Sequence, residues 1–254
     1  MRRAVAIAAL AALALGGCTR TAADRGADSA GDAGRGAAAK ASASASASPR
    51  AKPAFDKKAR STTDPASLWV IVNKKHPLKP VDYAPADLVY PDLPNPNRQP
   101  LRKPAAEALA GMAAAASAAG LSLSIESGYR SYPTQLAVYN EWVSSKGEAV
   151  ADELSARPGT SEHQTGLAVD LSAVPANCSL AVCFATTPQG KWLAANAWRY
   201  GFLLRYPADK VNVTGYQYEP WHFRFIGVPL ATELHAKHVE TLEEFFGVSG
   251  GTSY

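Results

Sequence analysis

The sequence predicts an α+β domain: a small, mainly antiparallel sheet with a cluster of polar groups on one face and helices packed on the other. Three observations predict it. Apolar residues alternate with other residues in several short stretches, as in Leu121 to Ile125, Leu167 to Leu171 and Trp221 to Phe225. Helical spacing occupies the segments between them. Histidines and carboxylates fall within or beside two of the alternating stretches.

The 254 residues, 47% of them hydrophobic, suffice for one domain of about 150 to 200 residues with appendages. The first appendage is N-terminal. Met1-Arg2-Arg3 is basic, residues 4–15 are apolar but too short for a stable membrane span, and Leu15-Gly16-Gly17-Cys18 follows at once. Residues 1–17 therefore read as a signal peptide resembling that of a bacterial lipoprotein, with Cys18 as the lipid-bearing first residue. The competing reading is an ordinary secretory signal with an incidental cysteine. The expected location is the outer face of the bacterial cell membrane, within the cell envelope. Residues 18–62 are rich in Ala, Ser, Gly, Asp and Arg and include an Ala-Ser repeat over 41–48. They lack the apolar bulk to offset ordering entropy and read as a disordered tether with an r.m.s. reach of ~35 Å. Export makes the compartment oxidising, so Cys178 and Cys183, close in sequence, are expected to form a disulfide. A net charge of +4 is mild, partly confined to the signal and tether, and gives no reason to expect nucleic acid. The chain is expected to be a monomer.

Residues 63–100 should wrap the domain in extended form, since their prolines forbid long helices. Trp69 to Val72 is the one short strand expected there. Residues 101–254 form the main domain. Pro104 to Ala119 reads as a helix stopped by Gly120, with Leu109 and Met112 on its apolar face, and Leu121 to Ile125 as a half-buried strand. Ser131 and Pro133 open a helix whose Leu136, Tyr139 and Val143 keep helical spacing up to Gly147. Short helices are expected over 148–156 and 189–199, a strand over 202–205, a loop or hairpin over 209–218 and a closing helix over 229–246.

Two blocks carry the chemistry: Ser161-Glu162-His163-Gln164-Thr165-Gly166-Leu167-Ala168-Val169-Asp170 and Glu219-Pro220-Trp221-His222. Among them, two imidazoles and two carboxylates, Asp170 and Glu219, fill what a catalytic metal needs: three ligands, and one more carboxylate to move protons. Asp170 lies on the strand face opposite Leu167, Val169 and Leu171. Pro220 has no N–H for a ladder, so it should break the strand and let Glu219 reach the same side as His222. His163, Asp170 and His222 are the expected ligands and Glu219 the expected general base and acid. Taken singly, the commoner roles are a hydrogen-bonded structural histidine and a turn or cap aspartate. His76 is given no role, and His235 and His238 share a helical face expected to be solvated.

The spacing Ser-x-His-x-x-Gly-x-Ala-x-Asp, followed by Glu-x-x-His, resembles the VanY-like zinc D-Ala-D-Ala carboxypeptidases and their VanX-type D,D-dipeptidase relatives. The resemblance covers roughly Trp69 to Phe246, with its specific part in Ser127 to Asp170 and Glu219 to Arg224. It implies one Zn²⁺ held by His163, Asp170 and His222, and catalysis by Glu219. It brings Arg130, within Ser-Gly-Tyr-Arg-Ser, into the active site, facing either the oxyanion or the substrate's terminal carboxylate. It also implies that Ser127, Gln135 and Ser161 line the substrate site. The substrate implied is the peptidoglycan stem peptide, losing its C-terminal D-Ala to metal-activated water. Other activities in this group are D,D-dipeptidase and L,D-carboxypeptidase, and a rival from another class is a non-catalytic, metal-containing wall-binding module. Ser-x-x-Lys, Lys-Thr-Gly and His-Glu-x-x-His are absent, which leaves serine peptidases and helical zinc proteases without support.

Overall fold

A computed structural model describes residues 54–254. The expected signal peptide, Cys18 and most of the tether lie outside the described residues. Packing begins upstream of residue 63: Phe55 stacks on Trp69 at 5.5 Å between ring centroids and meets Phe245 edge-on, so the last residues assigned to the tether belong to the folded unit. Among the described residues no helix is long and apolar enough to cross a membrane.

A two-stranded ribbon comes first, β1 (Leu88–Val89) with β2 (Leu101–Arg102), followed by α1 (Lys103–Ala118). The central sheet has four strands, β3 (Leu123–Ser127), β4 (Ala168–Ala173), β5 (Phe202–Leu204) and β6 (His222–Phe225). They lie side by side in the order β3-β4-β6-β5, every neighbouring pair antiparallel. The α+β class and antiparallel sheet are as expected.

The alternation within the strands divides the sheet by chemistry. Ile125, Val169, Leu171, Phe223, Phe225 and Phe202 turn to one side and join Leu109, Met112 and Ala116 of α1 in the main core. Arg224, His222, Asp170 and Ser172 turn to the other side. That side is also covered, with Trp69, Ile71 and Ile226 packing on α6 (Val228–Lys237) and α7 (Leu242–Phe246), so β4 and β6 are buried along their whole length. Burying charged groups there requires partners for each.

Several elements differ from expectation. Trp69 to Val72 is buried but forms no strand, Trp69 ending a turn; Arg224 donates to the Val70 carbonyl at 2.7 Å, and Ile71 N–H donates to the Thr62 carbonyl. In α2 (Tyr132–Lys146) the buried positions are Gln135 and Tyr139, while Leu136 is exposed. The inward stripe is rotated by about one residue because Gln135 is needed inside. Next come α3 (Glu148–Leu154) and α4 (Pro188–Asn196), near the expected places. The stretch 209–218 holds a short helix, α5 (Val211–Thr214), ended by Gly215 in the left-handed region. The closing helix is two helices: α6 stops at His238, itself left-handed, and Thr241 caps α7 by accepting from the Glu244 N–H. Cys178 and Cys183 form the expected disulfide.

Candidate functional site

The register of the sheet assembles the site. Ser127 pairs with Asp170 and Asp170 with His222, so the three occupy one row across β3, β4 and β6 and project to one face. Ser127 reaches that row because a bulge after Ile125 adds a residue to β3. His163 comes from a 3-10 turn over Glu162–Thr165 that ends on Gly166 at φ 68. A Cβ at Gly166 would meet Arg102 at 2.9 Å, so glycine permits both the turn and the close approach of the β2 ribbon.

His163 Nε2 lies 3.2 Å from Asp170 Oδ2, and His222 Nδ1 lies 3.2 Å from Asp170 Oδ1. Among the described residues, His163, Asp170 and His222 are the group whose ligand atoms converge, all within 4.8 Å of one another and all buried. Asp170 Oδ1 has no hydrogen-bond partner despite complete burial, a cost that a cation would relieve. Two imidazole nitrogens and a carboxylate oxygen suit zinc or a similar divalent ion, so the residues fit the expected group.

Each histidine is held through its other nitrogen. His163 Nδ1 donates to the Gly128 carbonyl at 2.7 Å, leaving Nε2 free for a ligand. His222 Nε2 lies 3.4 Å from Glu162 Oε2, leaving Nδ1 facing Asp170. Burial lowers the His163 pKa, although Asp170 opposes it. Burial also disfavours the charged form of His222, but the neighbouring carboxylates of Asp170 and Glu162 outweigh it and push that ring up to about 10. A proton would therefore compete with a metal for His222. Asp170 is held well below the usual carboxylate range, since its two histidine partners outweigh burial.

Glu219 sits where the break at Pro220 was expected to place it. Its N–H donates to the Tyr206 carbonyl, its carbonyl accepts from His222 N–H, and its Oε2 is 3.5 Å from His222 Nδ1. Its side chain keeps 24% of its surface exposed. Burial raises its pKa to about 7, with the positive charge of His222 pulling the other way. Arg130 donates from Nη1 to Gln135 Oε1 and from Nη2 to Ser127 Oγ, both at 3.0 Å. Burial lowers its pKa while Asp170 and Glu219 hold the charge on. Gln135 and Ser127 thus act on the site by orienting this guanidinium. Gln135 is locked in turn, its amide donating to Ser155 Oγ and the Ala156 carbonyl. Ser161 is buried at the start of the turn that carries His163. His76 bonds Ser249 and His235 stacks on Trp198, each outside this cluster.

Sequence reasoning missed the layer beneath His222. Glu162, Arg205, Arg224 and Glu243 are at most 2% exposed and interlock by ion pairs of 2.7 to 2.8 Å. The available signal was two arginines in or beside otherwise apolar strands, which demand buried carboxylates.

Against known proteins, the family model described as VanY, D-alanyl-D-alanine carboxypeptidase, matches residues 98–228. This chain belongs to that family. The Bacillus subtilis protein YodJ is 43% identical over 188 residues, which cover 72% of this chain and 68% of YodJ. Among solved structures, the LdcB LD-carboxypeptidase aligns with a TM-score of 0.68 at 42% identity, covering 74% of this chain and 89% of its own. VanYB in complex with D-alanine-D-alanine aligns with a TM-score of 0.60 at 32% identity, covering 71% of this chain and 97% of its own.

Proposed function

We propose that this protein is a zinc-dependent D,D-carboxypeptidase that removes the C-terminal D-Ala from peptidoglycan stem peptides. The observation that carries the reading is the convergence of His163, Asp170 and His222 on one point, with Glu219 3.5 Å from His222 Nδ1. One bound zinc ion would polarise the scissile carbonyl and bring the pKa of water toward ~7. Glu219 takes the proton of the attacking water and hands it to the leaving amine. Burial raises the pKa of this carboxyl, which favours its holding the proton between the two steps. Arg130, its fork fixed by Gln135 and Ser127, keeps its remaining donors for negative charge on the substrate, whether oxyanion or terminal carboxylate. Ser161 lines the substrate side of the His163 turn.

A second reading is L,D-carboxypeptidase, favoured by the higher identity to LdcB, 42% against 32% for VanYB. The two differ in the residue preceding the cleaved bond. We further propose that residues 1–17 direct export, that lipid on Cys18 holds the protein on the outer face of the cell membrane, and that the tether lets a monomeric domain meet its wall substrate.

The test is incubation of the full chain with stem pentapeptide and tetrapeptide, with and without a chelator, followed by mass spectrometry. Chelator-sensitive loss of one D-Ala from the pentapeptide is the expected result. Preference for the tetrapeptide establishes the L,D reading, and release of a dipeptide the dipeptidase one. Metal uptake without cleavage of either substrate leaves a wall-binding module.

A further inference from the structure

The charged layer under His222 takes no part in the reaction above, yet its arrangement is specific. Glu162 Oε1 accepts from Arg205 Nε and Arg224 Nη1, each at 2.8 Å. Both guanidinium groups thus bind the same oxygen. The other, Oε2, is left with one partner, His222 Nε2 at 3.4 Å. The arginines are fixed from behind. Glu243 takes two N–H groups of Arg205 at 2.7 and 2.9 Å and is itself held by Asn73 at 2.8 Å. Arg224 Nη2 donates to the carbonyls of Leu68 and Val70. The carboxylate of Glu162 has no freedom to exchange its oxygens.

We propose that Glu162 is a positioning residue which selects the tautomer of His222: by accepting from Nε2–H, it leaves the Nδ1 lone pair aimed at the point shared with Asp170 and His163. The inference rests on the reading of those three as metal ligands. The two histidines make a useful contrast. For His163 the selecting acceptor is the Gly128 carbonyl, which no substitution can turn into a donor. For His222 it is a side chain, which a substitution can turn. Stability alone does not account for the layer, because a buried ion network is often no more stabilising than apolar residues of equal volume.

Glu162→Gln separates the two roles. Guanidinium groups only donate, so the two arginines claim the amide oxygen and force the NH₂ into the place of Oε2. That NH₂ donates to Nε2, which drives the ring proton to Nδ1, the atom that must be free. A carboxylate-to-amide change beside a catalytic histidine imposes the wrong tautomer in the same way.

The experiment compares the full-length native chain, Glu162→Gln and Glu243→Gln by two readouts: zinc affinity in competition with a chromophoric chelator, and the histidine ring N–H resonances of the zinc-loaded protein. Glu243→Gln removes the same charge from the same layer without touching Glu162 or His222. Expected are a His222 Nε2–H resonance moved downfield by its carboxylate in the native chain, its loss in Glu162→Gln with zinc binding weakened ~10- to 100-fold, and native-like zinc affinity in Glu243→Gln. Equal weakening by both variants, native affinity in Glu162→Gln, or a native spectrum without that resonance overturns the proposal. If Glu162→Gln does not fold, the native spectrum and Glu243→Gln still decide. A native chain that takes up no zinc instead overturns the ligand assignment itself.

Discussion

The two faces of the central sheet follow the same period of two and are built on different principles. On one, Ile125, Val169, Leu171, Phe223 and Phe225 meet α1 in a layer where any apolar side chain of the right volume would serve. On the other, Asp170, His222 and Arg224 each need a particular partner at a particular distance, and those partners come from residues 68, 70, 162, 163 and 219 as well as from one another. Volume is a tolerant requirement and pairing is not. The apolar face should therefore govern stability and the polar face chemistry, a division that substitutions on each side can break.

The largest effect belongs to the polar face. Glu219→Gln keeps the shape of the side chain and removes its proton acceptor, so kcat/KM should fall by ~10²- to 10⁴-fold with folding intact. Steady-state kinetics on the preferred stem peptide, beside a circular dichroism melt, measures this. A variant retaining more than about a tenth of native activity would take the general-base role from Glu219.

Phe223→Ala makes the reciprocal test one residue away from His222. Phe223 is fully buried against the main core, and truncating it should cost about 3 to 5 kcal/mol of stability through lost transfer energy and the cavity left behind. Denaturant unfolding reads the loss. Zinc affinity of the molecules that remain folded should match the native chain. A coupled loss of affinity would mean that the two faces are not independent and that core packing sets the row Ser127, Asp170, His222.

How far each face could be read from sequence follows from the same difference. Alternation is local, so Leu167 to Leu171 and Trp221 to Phe225 announced both strands and the side on which Asp170 lies. The break at Pro220 put Glu219 and His222 together for a reason visible in four residues. Gln135 shows where local reasoning ends. Leu136 has the apolar side chain that periodicity favours, but Arg130 requires an acceptor from α2, and the helix turns Gln135 inward to supply it. Glu162 was invisible for a related reason. Its partners lie 43 and 62 residues away, and only the fold brings Arg205 and Arg224 to the same oxygen. The break between α6 and α7 was legible but overlooked: Thr241, followed three residues later by Glu244, has the spacing of a helix cap, and the apolar spacing on either side hid it.

The smallest effect concerns pH. In the folded chain Glu219 titrates at about 7, because burial disfavours its charge, against an ordinary 4.5. The folded state therefore binds this proton more tightly than the unfolded state does, and ionisation works against folding. The penalty is absent below about pH 4.5, grows as pH rises toward 7 and is complete above that. Glu219→Gln removes it. In the metal-free protein the variant should melt a few degrees above the native chain at pH 8 and together with it at pH 4, the difference being moderated by the 24% of the side chain that water reaches. A cation held by His163, Asp170 and His222 favours the ionised carboxylate nearby, so loading zinc should shrink the gap at pH 8. Equal melting at both pH values without metal would show that the polar face solvates Glu219 well enough to leave its charge uncontested. A gap that persists after zinc is bound would place the ion too far from Glu219 to govern its proton.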